Sequence, residues 1–285
     1  MLMSEMFDCI RVTAVLAVLL YASVSDVRSR EVTDNCWRML GAFGLCCMTY
    51  SAFSEGMRWE YVMMIIGAAM ILLDILTGVM DGKFGKIFRV LMLLMFVIPL
   101  AVSFDDMLVK QFFMIFATFV MFIGMFFTGI IKGGADVKCL IVISMIFFSY
   151  PSFSVFPLIA SPGPSYEIIF QFSLMVLLFA ALFSLSTVFY VMSKNLKNND
   201  GSKKGYMGFM MNIDEAMSSH VWPLQYVSEG NVVTTWKTQD LSVLDDLRAA
   251  GEEKVLVTPM VPFLVPMTVA VILLVLIGNP YFIIL

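Results

Sequence analysis

Histidine is nearly missing from this sequence: 285 residues contain one, His220. A Ser–His pair or a histidine-based metal site has almost nothing to draw on, and His220 reads as a surface or packing residue. Cysteine offers no alternative. The five present (Cys9, Cys36, Cys46, Cys47, Cys139) are odd in number, scattered and without a C-x-x-C, so zinc ligation is not expected. No G-x-x-x-x-G-K-[ST] phosphate loop occurs. The expectation is a protein with no metal and no cofactor. Charge is also scarce, at 14% of residues against 60% hydrophobic, with 26 Phe and 25 Met, which excludes an ordinary soluble domain.

What is abundant is long apolar runs. A hydrocarbon core of about 30 Å needs roughly 17 to 25 apolar residues to cross, and eight runs qualify: 9–25, 36–53, 60–80, 88–104, 110–131, 137–159, 167–192 and 260–284. They are continuously apolar, not alternating, so helices are the way to satisfy their backbone in lipid. The first run is read as a span and not a cleaved leader, because Glu5 and Asp8 precede it against one Arg11. The expected fold class is an all-α polytopic membrane protein of about eight transmembrane helices with a small cytosolic α+β insert. The expected domains are a membrane domain 1–192 with seven helices, an insert 193–259 and a final transmembrane helix 260–285. With the N-terminus outside, 15 of the 18 Lys and Arg fall on inner segments, while Arg11, Arg58 and Lys110 fall outside.

The insert opens with the polar linker "KNLKNNDGSKKGY". In "QYVSEGNVVTT" the "EGN" between β-prone stretches predicts a hairpin, and "TQDLSVLDDLRAAGEEK" predicts a short helix capped by Thr238 or Asp240 and stopped by Gly251. Its nine carboxylates against seven basic residues argue against nucleic acid as a partner.

Charge in so apolar a chain is informative where it lies at the end of a span. Residues 129–140 read "GIIKGGADVKCL", placing Asp136 behind Gly133, Gly134 and Ala135 and between Lys132 and Lys138. This is either a solvated glycine-rich turn or the centre of a site. Asp26, in "YASVSDVRSREVTDN", lies at the inner end of the first run, four crossings earlier. Four is even, so both aspartates sit on one face. Two adjacent carboxyls share a proton, so one can take a proton from water while the other donates to a peptide carbonyl. That is peptide hydrolysis without a metal. Gly133 and Gly134 would admit a substrate backbone and adopt φ values other residues avoid, and Ala135 keeps the approach open.

The segments "SDVRSREVTDNCW", "GGADVK" and "VTPMVPFLVPMTVAVILL" together resemble the archaeal preflagellin and prepilin peptidases, within the type IV prepilin peptidase group of GxGD-type membrane aspartyl proteases. The resemblance implies removal of class III signal peptides from archaellin or type IV pilin-like precursors at the cytoplasmic face of the cell membrane, with Asp26 and Asp136 catalytic. The chain departs from the family pattern at Ala135, where G-x-G-D has glycine, and in having more spans than the six of compact archaeal members. Bacterial relatives often add paired C-x-x-C motifs and a methyltransferase activity; without those motifs, protease activity alone is expected. Asp81, in "TGVMDGKFGK", is the rival second aspartate, otherwise a solvated helix end beside Lys83 and Lys86. Asp74 within the third run reads as a polar contact inside the bundle. Lys132 and Lys138 read as topological anchors, Lys138 otherwise as a group that lowers the aspartate pKa or touches substrate.

The competing reading is a proton- or ion-coupled transporter. It would place several charged groups near the bilayer midplane and often internal repeats, and the span interiors hold almost none besides Asp74. The expected partners are therefore precursor proteins and the lipid bilayer.

Overall fold

Backbone amides with no water nearby must bond within their own segment, so the apolar runs of this chain fold as helices. The computed structural model describes residues 3–78, 85–131, 133–198, 207–235 and 239–284. Asp81, Lys83, Lys132 and Thr238 lie outside the described residues. The chain divides into two compact units, Met1–Ala180 with Phe263–Leu285, and Ala181–Pro262.

In the first unit the helices are α1 (Met3–Ser29), α2 (Asp34–Ser54), α3 (Trp59–Thr77), α4 (Gly85–Val102), α5 (Met107–Phe127), α6 (Gly134–Ile146), α7 (Pro164–Ile169), the greater part of α8 (Phe172–Ser184) and, after the second unit, α12 (Leu264–Leu276). Among the described residues five helical stretches are long and apolar enough to cross a membrane: Met3–Ser29, Trp59–Thr77, Gly85–Val102, Met107–Phe127 and Phe172–Leu196. Eight crossings are thus not reached on length and composition. The protein is mostly helical, with five candidate spans and a small sheet region.

Three runs fall short, those of α2, α6 and α12, and for the sixth run the reason is physical. Residues 137–159 do not form one helix: α6 stops at Ile146, and at about 1.5 Å per residue its 13 residues rise only ~20 Å. Beyond it the chain turns back on itself, with Phe153 and Phe156 exchanging amide-to-carbonyl bonds of 2.9 and 3.0 Å. Leu158 and Ile159 then donate their amides to the carbonyls of Leu276 and Ile277, at 3.0 and 2.8 Å. Those acceptors sit at the C-terminal end of α12, where helix carbonyls have no partner within the helix. Irregular backbone is tolerated here because another helix end satisfies it.

Every side of α6 is covered: Val137 and all residues from Cys139 to Ile146 are buried. A helix apolar all round belongs in the middle of a bundle, and α6 packs against α2 and α5. Small residues permit this approach. A Cβ on Gly44 of α2 would come within 2.9 Å of Met145 Cβ, and one on Gly67 of α3 within 2.6 Å of the Phe96 ring of α4. At the α4–α5 connection Asp106 caps α5 by accepting the Val109 amide at 3.1 Å. It also accepts from Arg58 at 2.6 Å and from the Tyr61 hydroxyl at 2.7 Å, while Arg58 reaches Glu60 at 2.6 Å.

In the second unit, α9 (Ser186–Asn198), α10 (Ile213–Ser218) and α11 (Val243–Ala249) accompany two small antiparallel sheets. Strand β5 (Lys254–Pro259) lies between β1 (Phe209–Asn212) and β2 (Val221–Pro223). The hairpin read from "EGN" is present: β3 (Gln225–Ser228) pairs with β4 (Asn231–Thr234). Its two turn residues, Glu229 and Gly230, both have positive φ (52° and 79°), the backbone a tight two-residue hairpin turn requires. Helix α11 follows Ser242, not Asp240, and Gly251 leaves it with φ 86°, as its sequence suggests. Val191, Phe209, Val221, Leu244, Leu247, Val255 and Val257 are in the core of this unit.

Candidate active site

Asp26 occupies the last turn of α1. Its main-chain carbonyl accepts the amide of Arg30 at 3.1 Å, and Arg30, with φ 57°, turns the chain out of the helix. The Asp26 carboxylate accepts the amide of Leu264 at 3.4 Å. Leu264 is the first residue of α12, whose opening amides lack helical partners. One turn inside, Ser23 of α1 donates to the Thr268 hydroxyl of α12 at 2.8 Å, and Thr268 in turn donates to the Leu264 carbonyl at 2.8 Å, which also lies 3.2 Å from the Ser23 oxygen. This seam of hydroxyls, both residues buried, fixes where α12 begins relative to Asp26.

Asp136 is the third residue of α6 and Gly133 its N-cap, with φ −85° and ψ 120°. This is ordinary extended backbone, so the expected use of glycine for unusual φ is not what the position needs. The requirement is steric. The Asp136 carboxyl folds back over Gly133, and a Cβ there would come within 2.8 Å of Asp136 Cγ. Gly134 differs: a Cβ on it would meet nothing within 4 Å, leaving the surface beside Asp136 open. Ala135 is half-buried.

The two carboxyls, 110 positions apart in the chain, interact electrostatically. Burial, and after it the charge on Asp26, pushes the Asp136 carboxyl up from 3.8 to about 7. Lys138 does not neutralise the pair; its ammonium lies 2.6 Å from Asp34, the first residue of α2, and ties the opening turns of α6 and α2 together. Among the described residues no three His, Cys, Asp or Glu side chains converge in a way that could hold a metal ion.

No family model matches the chain. It is 25% identical over 266 residues to the preflagellin peptidase of Methanococcus maripaludis (strain C6 / ATCC BAA-1332), with 92% of each chain covered. It is likewise 25% identical over 272 residues to the preflagellin peptidase of Methanococcus voltae, again with 92% of each covered. This likeness supports a preflagellin/prepilin peptidase family assignment. The match runs along nearly the whole chain.

Among the other acidic residues of the sequence analysis, Asp81 lies outside the described residues, as does Lys132. Asp74 is half-buried in the last turn of α3, and its carbonyl accepts the Gly78 amide at 2.7 Å where the helix ends. Sequence reasoning passed over three contributors to the site's framework: Ser23, Thr268 and the Leu264 amide. A serine and a threonine in apolar helices were the available signal, since such hydroxyls inside a bundle commonly bond across helices. Arg11 is buried within α1, at 2% exposure.

Proposed function

We propose that this protein is a membrane aspartyl endopeptidase that removes class III signal peptides from archaellin or type IV pilin-like precursors, with Asp26 and Asp136 as its catalytic pair. The observation that carries the reading is the electrostatic meeting of two carboxyls from distant parts of the chain, one of them held protonated toward neutral pH. The names of the two relatives support the substrate class.

In this mechanism ionised Asp26 takes a proton from a water molecule, and that water attacks the scissile carbonyl carbon. Asp136 gives its proton to the carbonyl oxygen, forming a neutral gem-diol. Collapse of the diol breaks the C–N bond as Asp26 passes its newly gained proton to the departing amine while a diol hydroxyl gives its proton to ionised Asp136, so the pair is left sharing one proton again. Gly134 and Ala135 form the open side along which an extended precursor backbone approaches.

The same proposal includes eight crossings, with α2, α6 together with the stretch after it, and α12 joining the five candidate spans. Four helices, α2 to α5, separate Asp26 from Asp136, so both lie on one face. The bias of 15 of 18 basic residues makes that face cytoplasmic and the N-terminus external.

The test is cleavage of a type IV pilin-like or archaellin precursor by membranes containing wild-type, Asp26→Asn, Asp136→Asn and Asp81→Asn proteins. Loss with the first two substitutions, at normal protein levels, and retention with the third is expected. Activity surviving Asp136→Asn but not Asp81→Asn would move the second carboxyl to Asp81. Absence of cleavage by the wild type would return a proton- or ion-coupled transporter to consideration.

A further inference from the structure

The N-terminal part of α1 holds a charged pair that the proposed chemistry does not use. Arg11 Nε donates to Asp8 Oδ1 at 3.0 Å, and Nη2 reaches the same oxygen. Arg11 Nη1 donates to the carbonyl of Ile146, the last residue of α6, at 2.9 Å, and makes longer bonds of 3.4 Å to the carbonyl and hydroxyl of Ser149. The other Asp8 oxygen accepts the Ser152 amide at 2.9 Å. The rings of Phe7, Phe147 and Phe148 surround the guanidinium, with centroids 4.9, 5.6 and 5.6 Å away. Glu167 of α7, which accepts the Tyr150 amide at 3.1 Å, is within electrostatic reach.

Burying a charge pair is costly unless its geometry is good and its remaining hydrogen-bonding groups are satisfied. Here the remaining groups are satisfied by the Ile146 carbonyl at the negative end of α6 and by Ser149 and Ser152 in the stretch just beyond it. The placement is informative. Asp26 lies 15 residues beyond Arg11 on α1, and Asp136 lies 10 residues before Ile146 on α6. At about 1.5 Å per residue these are separations of roughly 22 and 15 Å. The two helices run in opposite directions, joined by Arg11 at one end and bearing the two carboxyls at the other.

We propose that Asp8 and Arg11 are positioning residues that set the axial register of α6 against α1, and through it the separation of Asp136 from Asp26. The proposal rests on the aspartate-pair reading above. A guanidinium fork that spans a carboxylate and a helix terminus favours one register, and adds to the packing of α6 on α2 and α5 a directional tie to α1.

The experiment compares kcat, KM and the pH profile of precursor cleavage for purified full-length wild type, Arg11→Gln, Arg11→Lys, Asp8→Asn and, as a control, Arg58→Gln. Arg58 also ion-pairs, with Glu60 and Asp106, but its bonds do not touch α6. Displacing a reacting group by about 1 Å costs on the order of 100-fold. Arg11→Gln is therefore expected to lower kcat roughly 10- to 100-fold with little change in KM, and to shift the pH profile because carboxyl coupling depends on separation. Arg11→Lys and Asp8→Asn should fall between it and the wild type, and Arg58→Gln should leave the profile unmoved. If Arg11→Gln does not fold, the two milder variants carry the comparison. Folded variants with wild-type kcat and profile would overturn the proposal, as would a loss of kcat matched by Arg58→Gln with no shift in profile. Cleavage retained by Asp26→Asn or Asp136→Asn in the same assay would mark failure of the aspartate-pair reading instead.

Discussion

Replacing Asp136 by Asn should abolish cleavage and at the same time stabilise the fold above neutral pH. The folded protein holds this carboxyl at about 7, against an ordinary 3.8, so between those values the folded state binds more protons than the unfolded chain. The contribution of Asp136 to stability therefore falls as pH rises from about 4 to about 7, and is level beyond. At about 1.4 kcal/mol per unit, the shift sets a ceiling of roughly 4 kcal/mol on the cost of ionising Asp136 in place. The side chain is only half-buried by surface area, and solvent reaching it leaves on the order of 1–3 kcal/mol. Asn has nearly the same shape and never ionises. Thermal unfolding of the purified protein should then show Asp136→Asn melting a few degrees above the wild type at pH 8, with the gap closing at pH 4.5. An equal gap at both pH values, or an Asn variant that melts lower at pH 8, would refute the argument that burial and the Asp26 charge press on this carboxyl.

Three further outcomes are expected. In Asp26→Asn the neighbouring charge is gone but burial, the larger cause, remains, so carbon-detected NMR of Asp136 should report a pKa below 7 that still exceeds 3.8; full return to 3.8 would make the charge the main cause. Gly133→Ala should reduce cleavage roughly 10-fold or more by displacing the Asp136 carboxyl, a loss of positioning, while Gly134→Ala, with open space for its methyl, should be tolerated; equal effects in a cleavage assay would contradict the steric account. Lys138→Met removes a partly exposed ion pair to Asp34 and should cost less than about 1 kcal/mol with kcat within a few-fold of wild type, so a collapse of kcat in the folded variant would assign Lys138 to the chemistry.

Hydropathy located the helices with little help from the fold. The boundaries of α3, α4 and α5 fall within a few residues of the runs that predicted them, because each has 18 to 21 helical residues of the right length and composition. Both aspartates were legible as charges at helix ends, and the "EGN" turn and the stop at Gly251 were legible because positive φ favours a small set of residues. The run at 137–159 misled, since transfer free energy rewards Phe, Ile and Val equally in a helix and in a turned segment whose amides find the end of α12.

What the amino-acid order determined by itself, then, is the helical character of the membrane unit and which carboxyls lie outside its apolar runs. Tertiary structure alone decided that Asp136 leans over Gly133, that Lys138 pairs with Asp34, that Arg11 is buried against the end of α6, and that the Leu264 amide faces Asp26. Hydrophobicity and backbone preference act residue by residue and can be summed along the chain. Charge partnership and steric room depend on distances between helices far apart in sequence, and these exist only once the helices have packed.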